Sequence, residues 1–103
     1  MRIAKVLVNN EEAAILTELE FGKRYRLEYL GDYHGVPVSL TMLPGKRYDF
    51  EGFPPFFDGL LPEGYQLEGL LKFGKIDRND LFSQLMAVGA DMVGNVTVKE
   101  VTV

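Results

Sequence analysis

Three features of the chain predict an α+β fold built on a mainly antiparallel sheet. Apolar and polar residues alternate in short runs through the first half; apolar residues recur at three- and four-residue spacing in two stretches of the second half; residues 95–103 are again β-branched. The order of strands, helices and strand implies an N-terminal hairpin and meander, two to three short helices and a C-terminal strand. All of this fits one domain, residues 1–103, since a chain of this length buries roughly two-thirds of its unfolded surface.

Residues 2–8 are aliphatic and β-branched and read as a strand that ends at the Asn9-Asn10 turn signal. Residues 11–18 continue as its hairpin partner. After Phe21-Gly22-Lys23, Tyr25, Leu27 and Tyr29 alternate with Arg24, Arg26 and Glu28, so one face of a third strand is buried and the other wet. Gly31 to Gly35 is a loop. Val38, Leu40 and Met42 alternate with Pro37, Ser39 and Thr41 as a fourth strand, with the proline marking an edge. Leu43-Pro44-Gly45-Lys46 turns again, and Tyr48, Phe50 and Phe53 lead into the segment around which the chain is organised, 53–71.

That segment opens with Pro54 and Pro55, which hold residues 53 and 54 away from the α region, so the chain enters extended and turns helical only afterwards. Pro62 is placed for the first position of a helix, where its missing N–H costs nothing. Leu67, Leu70 and Leu71 form the stripe that such a helix lays on a core. Tyr65 projects roughly opposite, in line with Gly69 and close to Lys72. Two readings of Tyr65 weigh the same: an anchor for another surface, or a half-exposed tyrosine lying over its own protein. Phe50, Phe53, Phe56 and Phe57 read as core, with at most one or two exposed. Gly74 stops the helix. Asp77 begins another, with Asp80 approximating a capping box, Leu81, Phe82, Leu85 and Met86 as its buried stripe and Gly89 at its end. Ala90 to Gly94 is a connection, and the period of the last strand slips after Lys99, which predicts a bulge or a frayed end.

Composition narrows the function. A hydrophobic content of 47% with 25% charged residues is that of a folded soluble protein, not a disordered one. No apolar run reaches membrane length and the amino terminus carries no signal-like segment, so the cytoplasm is expected, with no membrane partner. The absence of cysteine removes disulfides and thiolate metal sites. Net charge is −4, and only Lys23-Arg24-Tyr25-Arg26 concentrates positive charge, so no direct nucleic-acid contact is expected.

No constellation for catalysis is visible. His34 is the sole histidine, in a loop; the glycines fall in no phosphate-cradling pattern; Asp58 and Glu63 suit helix amino termini as acids generally do. A non-enzyme without metal or cofactor is expected.

Pro54-Pro55-Phe56-Phe57-Asp58-Gly59-Leu60-Leu61-Pro62-Glu63-Gly64, followed by Gly89-Ala90-Asp91-Met92-Val93-Gly94-Asn95-Val96, resembles the N-terminal subdomain of HipA-type serine/threonine kinase toxins. The resemblance covers essentially the whole chain, which stops where the kinase body would begin and holds none of the parts of phosphoryl transfer. A free-standing copy of this subdomain is similar to the HipS antitoxins of tripartite HipBST toxin–antitoxin systems. The resemblance implies a HipA-like kinase toxin (HipT) as partner, a small helix-turn-helix protein (HipB) as a third component, and inhibition in trans. The alternative is a structural or activating subunit that completes the kinase without inhibiting it. The expected partner-binding residues are Tyr65, with Pro62, Glu63 and Gly64 before it and Gly69 and Lys72 along the same face.

Overall fold

The computed structural model describes residues 1–91 and 94–101. Five strands, β1 (Arg2–Val8), β2 (Glu11–Glu20), β3 (Arg24–Tyr29), β4 (Arg47–Glu51) and β5 (Val96–Glu100), form one sheet in the order β4-β3-β2-β1-β5, every neighbouring pair antiparallel. Three α-helices lie between β4 and β5: α1 (Pro55–Asp58), α2 (Gly64–Gly74) and α3 (Leu81–Val88), the last running into a 3₁₀ turn, Gly89–Asp91. The expected α+β class and mainly antiparallel sheet are observed.

Asn9 and Asn10 make the β1–β2 turn with φ of 51° and 67°, the positive values a two-residue hairpin loop needs to match strand twist. The β1–β2 register shifts between Val6 and Leu7, and Ala13 is the extra residue on β2. Consecutive alanines 13 and 14 are therefore both buried, which a regular strand would not allow. A second shift between Glu18 and Glu20 ends β2 with Glu18 turned inward.

The inner face of the sheet carries Ala4, Val6, Val8, Ala14, Leu16, Tyr25, Leu27, Val96 and Val98, and Phe57, Phe82 and Leu85 of the helices close over it. Of the four phenylalanines expected in the core, Phe57 is fully buried and Phe50, Phe53 and Phe56 are half-buried. Phe53 meets Tyr25 edge-on at 5.2 Å.

Residues 38–42 are not a strand. Ser39 and Met42 form an isolated bridge closed by Met42 N–H donating to Ser39 O at 3.0 Å; Val38 and Met42 turn inward, but Leu40 is 93% exposed. The segment imitates a strand in composition, yet its backbone is captured by tyrosines: the Tyr29 hydroxyl accepts from Val38 N and donates to Met42 O, and the Tyr48 hydroxyl accepts from Leu43 N at 2.8 Å. The fourth strand is instead Arg47–Glu51, where Tyr48 and Phe50 alternate with Arg47, Asp49 and Glu51.

The helix boundaries also differ from expectation. Pro54 is extended (φ −57°, ψ 128°), as expected, but α1 starts at once at Pro55, whose fixed φ suits a first helical position. Pro62 lies outside α2, which begins at Gly64 after an extended Glu63. Asp80, not Asp77, opens α3: its carboxylate accepts from Ser83 N at 3.1 Å, while Asp77 accepts from Asn79 N at 2.7 Å in the turn before. Gly89 has an ordinary helical φ of −59°, so it is not a left-handed cap. It is required for proximity, since a Cβ there would sit 2.3 Å from Val98 O of β5.

Val96 and Val98 face the core together, and β5 ends at Glu100 with Val101 N donating to Ile3 O at 2.9 Å. The slip expected after Lys99 is no bulge within β5, whose register with β1 runs unbroken through Glu100; Val103 lies outside the described residues, as does part of the Ala90 to Gly94 connection.

Candidate partner interface

No residue of α2 is buried. Leu67, Leu70 and Leu71, the stripe expected on the core, are half-buried, and α2 ends in a left-handed cap at Lys75 (φ 54°) with Ile76 N donating to Leu71 O at 3.1 Å. The expected packing of this stripe on the core is not observed: none of the three leucines is among the partly buried apolar residues packed against it.

Its far face carries two exposed rings. Tyr65 is 97% exposed and Phe73 is 86% exposed. Between them Gly69 leaves a gap, for a Cβ built there would meet nothing within 4 Å. Lys72 stands exposed on the same face, whereas Glu68 is taken up by Arg78 at 2.6 Å. Of the residues singled out in the sequence, the structure therefore gathers Tyr65, Gly69 and Lys72 on one side of α2. Pro62, Glu63 and Gly64 form the approach to it: Pro62 half-buried, Glu63 exposed, and Gly64 at φ +59°, a conformation that favours glycine. Phe73 was not anticipated. It lies eight residues beyond Tyr65, and that i, i+8 spacing on an otherwise polar flank was the available signal.

A second cluster, unseen in the sequence, gathers around Arg2. The Arg2 guanidinium forks onto Glu18 (Nε to Oε1 2.7 Å, Nη2 to Oε2 2.9 Å) and onto Asp80 (Nη2 to Oδ1 2.9 Å), and donates to Ser83 Oγ at 2.8 Å. Its cation lies 4.7 Å from the Phe21 ring centroid and 4.8 Å from that of Phe82. Glu18 is almost completely buried and also accepts from Tyr25 OH at 3.0 Å and Gly22 N at 3.1 Å. Burial pushes the Glu18 carboxyl up, but the hydrogen bonds from Arg2, Gly22 and Tyr25 outweigh it and hold the group below the usual carboxylate range. Asp80 is lowered in the same way, burial being overcome by Arg2 and Ser83. Burial, then the bond to Glu18, pushes the Tyr25 hydroxyl up. The cluster pins the start of β1, the end of β2 and the start of α3 together; it is a brace, not a reactive centre.

The basic run is likewise neutralised where it stands, Arg24 by Glu20 at 3.2 Å and Arg26 by Asp49 at 2.7 Å. His34 is an exposed loop residue. Among the described residues no three His, Asp or Glu side chains are grouped so as to hold a metal ion, and no helix is long and apolar enough to cross a membrane.

The family model for the HipA N-terminal domain matches residues 4–99. This chain belongs to the HipA N-terminal domain family. A similar solved structure, the N-terminal domain of HipA toxin, superposes with a TM-score of 0.74 at 28% identity, covering 99% of this chain and 94% of that one. A similar protein of Haemophilus influenzae (strain ATCC 51907 / DSM 11121 / KW20 / Rd), described as uncharacterized, is 30% identical over 101 residues, 97% of this chain and 93% of its own length. The solved HipA N-terminal domain is thus matched along nearly its whole length, and in this member of the family α2 leaves Tyr65 and Phe73 exposed.

Proposed function

We propose that this HipA N-terminal domain chain is an antitoxin that binds a HipA-like kinase toxin of the HipT type in trans and inhibits it. The reading is carried by Tyr65, an aromatic ring 97% exposed on a helix that buries none of its residues. Aromatic rings are enriched among the residues that carry most of the binding energy of interfaces. The kinase's catalytic cleft or its rim is the surface such a ring would fill. Pro62, Glu63 and Gly64 set the angle at which α2 departs, and Gly69 admits the partner's backbone beside the ring. The chain acts without cofactor or catalysis of its own, in the cytoplasm, and a small helix-turn-helix protein of the HipB type completes the assembly.

The experiment is co-expression with the candidate kinase encoded beside it, followed by growth and co-purification. Rescue of growth with a stable complex is expected, and Tyr65→Ala is expected to weaken both by at least tenfold without lowering the melting temperature. One observation favours a different reading: the similar solved structure is titled as a domain of the toxin itself, which fits a structural or activating subunit. Complex formation with raised kinase activity would establish that reading and remove the inhibitory one.

A further inference from the structure

We infer that the chain pairs with a second copy of itself through α2, the two helices antiparallel about a two-fold axis that passes Gly69. This pairing goes beyond the antitoxin reading and stands without it; where both hold, the second copy and the kinase compete for Tyr65. Tyr65 and Phe73 each stand four residues from Gly69, one on either side, which is about 6 Å along the helix axis and about 40° round it. Both rings are in solvent, at 97% and 86% exposure, and a Cβ built on Gly69 meets nothing within 4 Å. Read outward from that glycine, the segment matches its own reverse: Tyr65 corresponds to Phe73, Gly64 to Gly74, and Glu63 to Lys75. A two-fold contact demands such a surface, because each residue meets in the copy the residue that meets it in return. With the axis at Gly69, each Tyr65 comes level with Phe73 of the second copy, and the two helices approach most closely where neither has a side chain.

Charge selects the occupant. Glu68 is taken up by Arg78 at 2.6 Å, and the exposed charged residues left on and beside the helix, Glu63, Lys72, Lys75 and Asp77, sum to zero. A strip with no net charge steers neither an acidic nor a basic surface toward itself. In the antiparallel register it matches itself. Glu63 comes level with Lys75 of the second copy at both ends, and Lys72 with the Gln66 amide, so lysine is not set against lysine. Two chains that each carry −4 repel over much of their surfaces, and here they meet without that penalty. Size sets the strength. An 11-residue helix is about 16 Å long, and a contact of that length buries well under the roughly 1,600 Å² of a standard interface. The pairing is therefore of the transient class, with an expected Kd on the order of 100 μM.

Sedimentation equilibrium of the chain alone, from about 10 μM to about 1 mM so as to span that constant, tests the pairing, with circular dichroism confirming that each variant is folded. The weight-average mass is expected to climb from that of one chain toward that of two. Phe73→Ala removes a ring and Gly69→Gln fills the gap, and each should weaken association at least about tenfold. Neither residue is among those packed on the core, so both variants keep the wild-type spectrum. Glu63→Lys and Lys75→Glu decide the register. Each sets like charges together at both ends of its own pair and should self-associate about five- to tenfold more weakly at low salt. An equimolar mixture of the two should associate within about twofold of wild type, because every end of the mixed pair again holds one charge of each sign. A chain that stays monomeric at about 1 mM would overturn the pairing and, since no kinase enters the measurement, leave the antitoxin reading standing. A dimer that Phe73→Ala and Gly69→Gln leave within about twofold of wild type would overturn α2 as its surface. A mixture no more associated than its two components apart would overturn the antiparallel register.

Discussion

Replacing Arg2 by methionine keeps most of the side chain's stem and removes the guanidinium. In one change Glu18 loses both of its bonds from that group and Asp80 loses its own, while the Glu18 carboxylate, 3% exposed, stays where it is. Tyr25 and Gly22 still donate to it, but no cation does. Removing one partner of a fully buried pair costs about 3–5 kcal/mol. Arg2 and Asp80 keep 28% and 19% of their side-chain surface in water, which screens part of the interaction, so about 2–4 kcal/mol is the expected loss here. An unfolding entropy of about 2 cal/mol/K per residue turns that into a fall in Tm of roughly 10–20 °C for a chain of this size. Thermal melting followed by far-ultraviolet circular dichroism at pH 7 reads it directly. The stranded charge is the source of the cost, so Arg2→Met with Glu18→Gln should be more stable than Arg2→Met alone. A single variant melting within about 3 °C of wild type, or a double variant no better than the single, would refute this reasoning.

The same cluster dictates the pH dependence. Glu18 and Asp80 have folded pKa values below their unfolded ones, so their stabilisation is present above the ordinary carboxylate range, about pH 4, and is lost as pH falls through the folded values. Tyr25 is raised, so its contribution is intact below its unfolded pKa of about 10 and is lost as pH rises through the folded one. Melting temperature should therefore be flat near neutrality and fall on both sides, and an acid limb that Glu18→Gln and Asp80→Asn leave unchanged would contradict the assignment. Gly89→Ala should destabilise by about 1–3 kcal/mol although alanine is the better helix former by about 1 kcal/mol, because its Cβ would stand 2.3 Å from Val98 O and force α3 off β5. Urea denaturation checks it, and a neutral or stabilised variant would show that the two elements separate freely.

Alternation made β3 legible, because the period of two is written into its side-chain polarity, while β1 and β5 were legible from their β-branched and aliphatic composition and β2 as the partner after the Asn9-Asn10 turn. The same rule failed at residues 38–42. Val38, Leu40 and Met42 have a strand's spacing, but tyrosine hydroxyls from β3 and β4 take up the backbone groups that a neighbouring strand would have used, and Leu40 is turned out at the tip. Nothing local in 38–42 reports that. Pro62 carried a helix-start signal, yet the chain needs Glu63 extended and Gly64 at positive φ before α2 can leave in its observed direction, a tertiary demand. In the site, helical geometry turned Tyr65 away from the leucines but left open whether its ring lay over its own protein; the structure leaves it 97% exposed. Phe73 escaped because it falls on the flank between the leucine stripe and the tyrosine, where angular reasoning is ambiguous. The Arg2 cluster joins residues 2, 18 and 80, separated by 16 and 78 positions, and no window of sequence contains it.

The pairing of β5 with β1 sets when the sheet is completed. β1 lies between β2 and β5, and its far edge finds a partner only when Val96 and Val98 arrive opposite Val8 and Val6. During translation the β1–β2 hairpin emerges with one hydrogen-bonding edge open, and that edge stays open until β5 has been made. Contacts so distant in sequence make folding slow relative to a helical bundle of equal length. Because α3 and the Gly89 turn are seated against β5, the arrangement of helices is completed in that same late step. The open edge of β1 and the seat of α3 are thus closed by one and the same strand, β5.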